Sequence, residues 1–202
     1  MTLDLLIATR NPGKIAEFSA LIAGLPLQLH TLVEFSNVPQ VEESGSTYEE
    51  NAMLKANAYA RASGLWAIAD DSGLEVDALE GAPGVRSARY AGPGASDAAR
   101  TAFLLQQLER VKLEDWSARF CCCVAIADGA GEIVRVESAR CDGRIVSPPR
   151  GISGFGYDPI FLPNGFNQTF AELSAEVKNR ISHRAKAFGA ARDFLQQFFE
   201  QP

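Results

Sequence analysis

Three apolar runs of strand length, Leu3–Ala8, Leu27–Leu32 and Leu65–Ala69, are separated by two stretches with helical punctuation. Runs this short read as buried strands, and a strand–helix–strand order lays helices on the faces of a parallel sheet. The first helix has Asn11 as N-cap, Pro12 at the first helical position and Gly24 past its end, with Ile15, Phe18, Ile22 and Leu25 on one face. The second opens at Thr47-Tyr48-Glu49-Glu50, a capping-box pattern, and runs through Ala-rich sequence to Gly64. After a further helix over Ser96–Val111 the pattern changes. Trp116–Ala127 alternates, with Trp116, Ala118, Phe120, Cys122, Val124 and Ile126 on one face. The turn Asp128–Gly131 then leads into Glu132–Cys141. Two long strands therefore pair as a hairpin, and the expected fold is α/β with a mixed β-sheet.

The connections are less regular. Leu65–Ala69 is expected to stop at Asp70-Asp71-Ser72-Gly73, with Leu74–Leu79 as a further strand; Gly81–Gly94 and Asp142–Gly156 read as loops. The C-terminal part is helical, with Ile181, Ala185, Phe188, Leu195 and Phe199 in one stripe. At 202 residues the chain makes one domain, or two joined lobes, without need of disulfides or metals to fold. Hydrophobic residues at 47% and charged residues at 22% exclude a disordered, collagen-like or coiled-coil chain. The net charge of −6 argues against nucleic acid or an anionic membrane as partner. No run approaches the roughly 18 apolar residues of a membrane span, and the start lacks the basic region of a signal peptide. Cys121, Cys122, Cys123 and Cys141 have neither zinc-ligand nor disulfide spacing; they read as small apolar fillers in a reduced, cytoplasmic protein.

Four clusters carry potential chemistry. Thr9-Arg10-Asn11-Pro12-Gly13-Lys14 joins a strand to a helix N-terminus, where amides and the helix dipole attract anions; an ordinary capped helix start fits the same residues. It is not a Walker A loop, because Ile15 stands where a Ser or Thr would be needed. Glu42-Glu43 and Asp70-Asp71 pair acids in a loop and after an apolar run. They are a hard-cation site, or a solvated loop and a turn capped by Asp70. Phe155 and Tyr157 flank Gly156 ahead of Asp158, either to stack on a planar base and accept a ring N–H or to form a turn with core aromatics. Lys178, Arg180, His183, Arg184 and Lys186 form a cationic stretch. One straight helix would turn Lys178 and His183 apart by roughly 140°, whereas a break near Ile181, with Ser182 capping a new helix, would let Lys178, His183 and Arg184 converge.

Ala8–Lys14, Glu49-Glu50-Asn51-Ala52 with Lys55-Ala56, Ala69–Leu74, Gly81–Gly84 with Ser87–Tyr90, Gly154–Pro159 and Ile181–Arg184 follow one another in an order specific to one family. From Leu5 to about Phe188 the chain resembles the inosine/xanthosine triphosphate pyrophosphatases, which hydrolyse non-standard purine nucleotides. The resemblance implies that residues 1–202 form a single domain of two lobes, an elongated mixed β-sheet flanked by helices with the active site in the cleft between the lobes. It implies a cytoplasmic homodimer that converts ITP, dITP or XTP to the monophosphate and pyrophosphate with Mg²⁺, keeping these nucleotides out of DNA and RNA. It further implies that Thr9, Arg10, Asn11, Pro12, Gly13 and Lys14 bind the triphosphate and that Glu42 and Asp71 hold the metal. Asp71 is then the proton acceptor, Ser72 contacts substrate, and Phe155, Gly156, Tyr157, Asp158, Lys178, His183 and Arg184 bind the nucleotide. Donors from His183, Arg184 or backbone would pair with the 6-oxo group and reject an amino group. Two departures are Arg10, where a small or polar residue is usual, and Val177, where a helix-capping Glu is common.

Overall fold

The computed structural model describes residues 2–35 and 37–200. In chain order they form β1 (Leu3–Ile7), α1 (Pro12–Leu21), β2 (Leu27–Thr31), α2 (Tyr48–Ser63), β3 (Trp66–Val76) and α3 (Asp97–Leu108). There follow β4 (Ser117–Ala127), β5 (Ile133–Ile145), β6 (Phe161–Pro163), α4 (Ala175–Ile181) and α5 (His183–Glu200). One open sheet has the strand order β2-β1-β3-β4-β5-β6. It is mixed: β1 runs parallel to β2 and β3, with Leu5 opposite Leu29 and Trp66, while β5 and β6 are antiparallel, with Arg144 opposite Leu162.

The local signals act as expected at the helix starts. Asn11 caps α1 through its side-chain oxygen, Thr47 and Glu50 close the reciprocal capping box of α2, and Ser96 caps α3. The C-terminal helical region does break: Ser182 has extended backbone (φ −68°, ψ 159°), ending α4 and letting α5 begin at His183. Val177 takes no capping role; Ser174 accepts its N–H, and its side chain packs on the core.

Several expectations are corrected. β3 does not stop at Asp70-Asp71; it continues through Ser72 and Gly73 to Val76 as one strand, and no turn forms there. β5 runs on through Asp142–Ile145 because β6, unanticipated, offers it an antiparallel partner. The Gly81–Gly94 segment holds a turn of 3₁₀ helix over Gly84–Arg89. Leu74–Leu79 is the end of β3 followed by a short 3₁₀ turn.

The chain divides into two compact units. The first takes the chain up to Asp71, Cys122–Ala139 and the chain from Arg184; the second takes Ser72–Cys121 and Arg140–His183. In the first, even-numbered Ile68, Cys122, Val124 and Ile126 pack with Phe18 of α1, Ile22 just after it, and Ala187, Phe188, Ala191 and Leu195 of α5. Odd-numbered Ala67, Ala69, Cys123, Ala125 and Ala127 pack with Ala52, Ala56, Tyr59 and Ala60 of α2. Successive strand residues face opposite sides, and helices cover both, so the strands read as unbroken apolar runs. Cys122 and Cys123 are buried free thiols in this packing. The second unit has its own core, in which Leu74, Val76, Phe120, Phe161 and Phe170 pack with Leu104 and Leu108 of α3. Among the described residues no helix is long and apolar enough to cross a membrane.

Candidate functional site

In the first unit the turn after β1 is held by its own side chains. Thr9 Oγ1 accepts the Asn11 N–H at 3.2 Å, and Asn11 Oδ1 accepts the Gly13 and Lys14 N–H groups at 2.9 and 3.3 Å. The amides expected to meet an anion therefore go to the cap, as in the ordinary helix start. The cation this segment projects is the Lys14 side chain, whose Nζ lies 2.8 Å from Asp70 Oδ2. Arg10 turns away and donates to the Val38 carbonyl at 2.9 Å. Arg184 comes in from α5, Nε 3.6 Å from the same Asp70 oxygen and Nη1 2.9 Å from Glu17 Oε2. Thr9, Lys14, Asp70, Phe18 and Phe188 line a small cavity there. Burial by itself would push the Asp70 carboxyl up, but the charges of Lys14, Arg184 and Lys55 overcome it and hold its pKa at about 2.

Asp71, one residue on, belongs to the other face of the strand. Its Oδ2 accepts from Asn51 Nδ2 at 2.9 Å, and its Oδ1 lies 3.7 Å from Lys55 Nζ. Asn51 and Lys55 stand one turn apart on α2, and both are buried. Lys55 also binds the Glu43 carboxylate, and Asn51 Oδ1 accepts the Gly45 N–H at 2.8 Å, so α2 fastens the acidic loop beside Asp71. Gly45 is required for this approach: a Cβ there would come 2.7 Å from Glu50 Cβ and 2.8 Å from Asn51 Oδ1. Burial raises the Asp71 pKa above its ordinary value; Lys55 opposes this and the Glu43 carboxylate adds to it. Both carboxylates lie on the Lys55 ammonium, an all-oxygen pair of the donor type that a hard divalent cation takes. Glu42, the acid expected at the metal, is exposed; the one that reaches this group is Glu43.

In the second unit Gly154–Asp158 forms a fastened loop. Asp158, buried, accepts the Phe155 N–H at 2.9 Å and pairs with Lys178 Nζ at 2.7 Å through one oxygen. Gly154 has φ +77°, and a Cβ there would lie 2.1 Å from that oxygen, so only glycine leaves the carboxylate in place. The Lys178 ammonium lies 5.0 Å from the centroid of the half-buried Phe155 ring. Tyr157 does not join it as a stacking face. Its side chain is buried in the core and its hydroxyl donates to the Ser87 carbonyl at 3.0 Å. His183 lies flat on Phe120, ring centroids 4.7 Å apart and planes 7° apart. Ser72 is half-buried, directly after Asp71 in β3.

A family model described as the Ham1 family matches residues 5–194. The chain belongs to the Ham1 family. Among similar proteins are the "dITP/XTP pyrophosphatase" of Geobacter sulfurreducens, 48% identical over 95% of this chain and 96% of that protein, and that of Geobacillus kaustophilus, 50% identical over 91% and 90%. The HAM1 protein structure from Coxiella burnetii superposes with a TM-score of 0.87 at 41% identity, covering 97% of this chain and 100% of that one. The Staphylococcus aureus Ham1 structure gives 0.85 at 40% identity over 96% and 99%.

In this Ham1 protein the residues that reasoning from the sequence passed over as site members are Asn51 and Lys55; Glu43 was read in the acidic pair, but Glu42 was the one assigned to the metal. Their spacing held a signal: Asn51 and Lys55 lie four apart and so share a helix face, and both are polar where the neighbouring Ala52, Ala56 and Ala60 mark the buried side. Which of Glu42 and Glu43 turns inward depends on the path of an irregular loop, and no periodicity encodes that.

Proposed function

We propose that this Ham1 protein hydrolyses non-standard purine nucleoside triphosphates, dITP, ITP and XTP, to the monophosphate and pyrophosphate. The observation that carries this reading is the identity of 48 to 50%, nearly end to end, with relatives named dITP/XTP pyrophosphatase. The charge layout supports it. Asp71 is a buried carboxylate more basic than an ordinary one, suited to orient a water and take its proton during attack on the α-phosphorus. Lys14 and Arg184, now on Asp70, are the cations that meet the phosphate charge as the leaving group departs. Phe155, Lys178 and Asp158 carry the nucleoside end, the ring as a stacking face and the loop as a fixed frame.

Asp71 and Glu43, with Glu42 beside them in sequence, would hold Mg²⁺; the ion supplies neutralising charge to the phosphates. The same reading takes the enzyme to be a cytoplasmic homodimer of single-domain chains. The test is pyrophosphate release from dITP in Mg²⁺. It should proceed with this protein, stop on addition of EDTA, and be far slower with ATP. Absence of pyrophosphate from dITP and XTP alike would end the proposal.

The partners of Arg184 favour phosphate over the base as its role. Its guanidinium sits with Lys14 on Asp70, which supports a shared role toward phosphate charge. Arg184→Ala should lower the hydrolysis of dITP and the residual hydrolysis of ATP by the same factor; a loss confined to dITP would return Arg184 to the base.

A further inference from the structure

Deepening that functional reading, on which it rests, we infer that Asp97 is a positioning residue for the nucleoside end of the substrate. It acts through a single peptide group, the one joining Phe155 to Gly156. That group is held from both sides: the Phe155 carbonyl accepts the Asp158 N–H at 3.3 Å, and the Gly156 N–H donates to Asp97 Oδ2 at 2.6 Å. This peptide directly follows the Phe155 Cα, so anchoring it holds in place the backbone that carries the ring. Asp97 comes from the first turn of α3, far from the loop in sequence.

The carboxylate is itself held. Its other oxygen binds Arg100 Nη2, and Arg100 Nη1 donates to the Ala88 and Ala95 carbonyls at 3.0 and 2.5 Å. Arg100 thereby ties the acid to the chain leading into α3. Thr101, one turn on, reaches the Gly156 carbonyl at 3.5 Å, so the same helix face touches both sides of this glycine. Gly156 has φ +64° and no side chain to pack, which leaves these contacts to fix it. A loop holding Gly151, Gly154 and Gly156 has many conformations to lose, and every outside anchor counts. An ion pair with Arg100 and a place at the N-terminus of α3 would suffice for a merely structural acid; neither explains the bond to Gly156.

The test compares Asp97→Ala, Asp97→Asn and Ser96→Ala by dITP kinetics and by hydrogen exchange at the Gly156 amide. Asp97→Ala should raise KM about tenfold, the scale of one charge-assisted hydrogen bond, with kcat little changed, as expected when binding alone is lost. Asp97→Asn keeps an oxygen acceptor and should restore most of the KM. Ser96→Ala removes the cap of α3 without touching Gly156 and should leave KM as it is. Exchange at Gly156 should speed up in Asp97→Ala only. The inference is overturned if Asp97→Ala leaves KM and exchange unchanged, if its loss falls on kcat, or if Ser96→Ala reproduces the rise. Should the wild type fail to hydrolyse dITP, the functional reading falls by itself, and the exchange result alone decides whether Asp97 holds the loop.

Discussion

Asp71→Asn lowers dITP turnover by at least about 100-fold, the usual scale for loss of a general base, while the melting temperature stays level or rises. The two halves of this expectation come from one fact. Asp71 has a raised pKa in the folded protein, from burial first and from Glu43 after it, against the pull of Lys55. A group whose folded pKa lies above its unfolded one favours folding when protonated, and loses that contribution as pH rises through the folded value. Near neutral pH the ionised Asp71 therefore works against stability, and a neutral side chain of the same shape relieves it. Asparagine can still turn its oxygen toward Asn51, and Lys55 keeps Glu43. What is lost is the proton acceptor and the charge toward a cation. Activity set against stability is the mark of a functional site, and circular dichroism melting with a pyrophosphate-release assay reads both. Near-normal turnover in Asp71→Asn would remove Asp71 from the chemistry.

Asp70→Asn behaves in the opposite way. Asp70 Oδ2 lies 2.8 Å from Lys14 and 3.6 Å from Arg184, with only 2% of its side chain exposed. Removing one member of a buried ion pair strands the others and costs about 3–5 kcal/mol, and in a chain of this size each kcal/mol lowers Tm by roughly 2–4 °C. The sign with pH follows from a folded pKa of about 2 against an ordinary value of 3.8. The contribution is fully present above the unfolded value and disappears as pH falls from near 4 toward 2. The gap in stability between wild type and Asp70→Asn should thus be wide at neutral pH and close across that acid window. A gap that stays constant down to pH 2 would mean that Asp70 is not the group holding these cations.

The contrast between these neighbours explains what could be read from the chain and what could not. Asn11 with Pro12, the Thr47–Glu50 box and the break at Ser182 were legible because each depends on residues within one turn of itself. The alternating and continuous apolar runs located β1 to β5 for the same reason. The passage of β3 through Asp70-Asp71 was not legible. Two adjacent acids look like the end of a buried strand unless their compensation is known, and it comes from Lys14, Arg184, Asn51 and Lys55 on three helices. Likewise the length of β5 is set by β6, and the burial of Tyr157 by Ser87, partners that no local pattern names. In the candidate site, residue types were readable and pairings were not.

The pleat of β3 has one more consequence. Two acids adjacent in the chain would compete for the same counter-ions in a turn, and any adjustment of one would disturb the other. Carried on opposite sides of a strand, they make their direct contacts with separate neighbours: α1 and α5 for Asp70, α2 and its acidic loop for Asp71, with the Lys55 charge felt by both. The backbone acts as a partition between a fixed anchor and a tunable reagent. Substitutions in the Glu42–Gly45 loop can therefore change the basicity of Asp71 while the pairs that hold Asp70 remain in place.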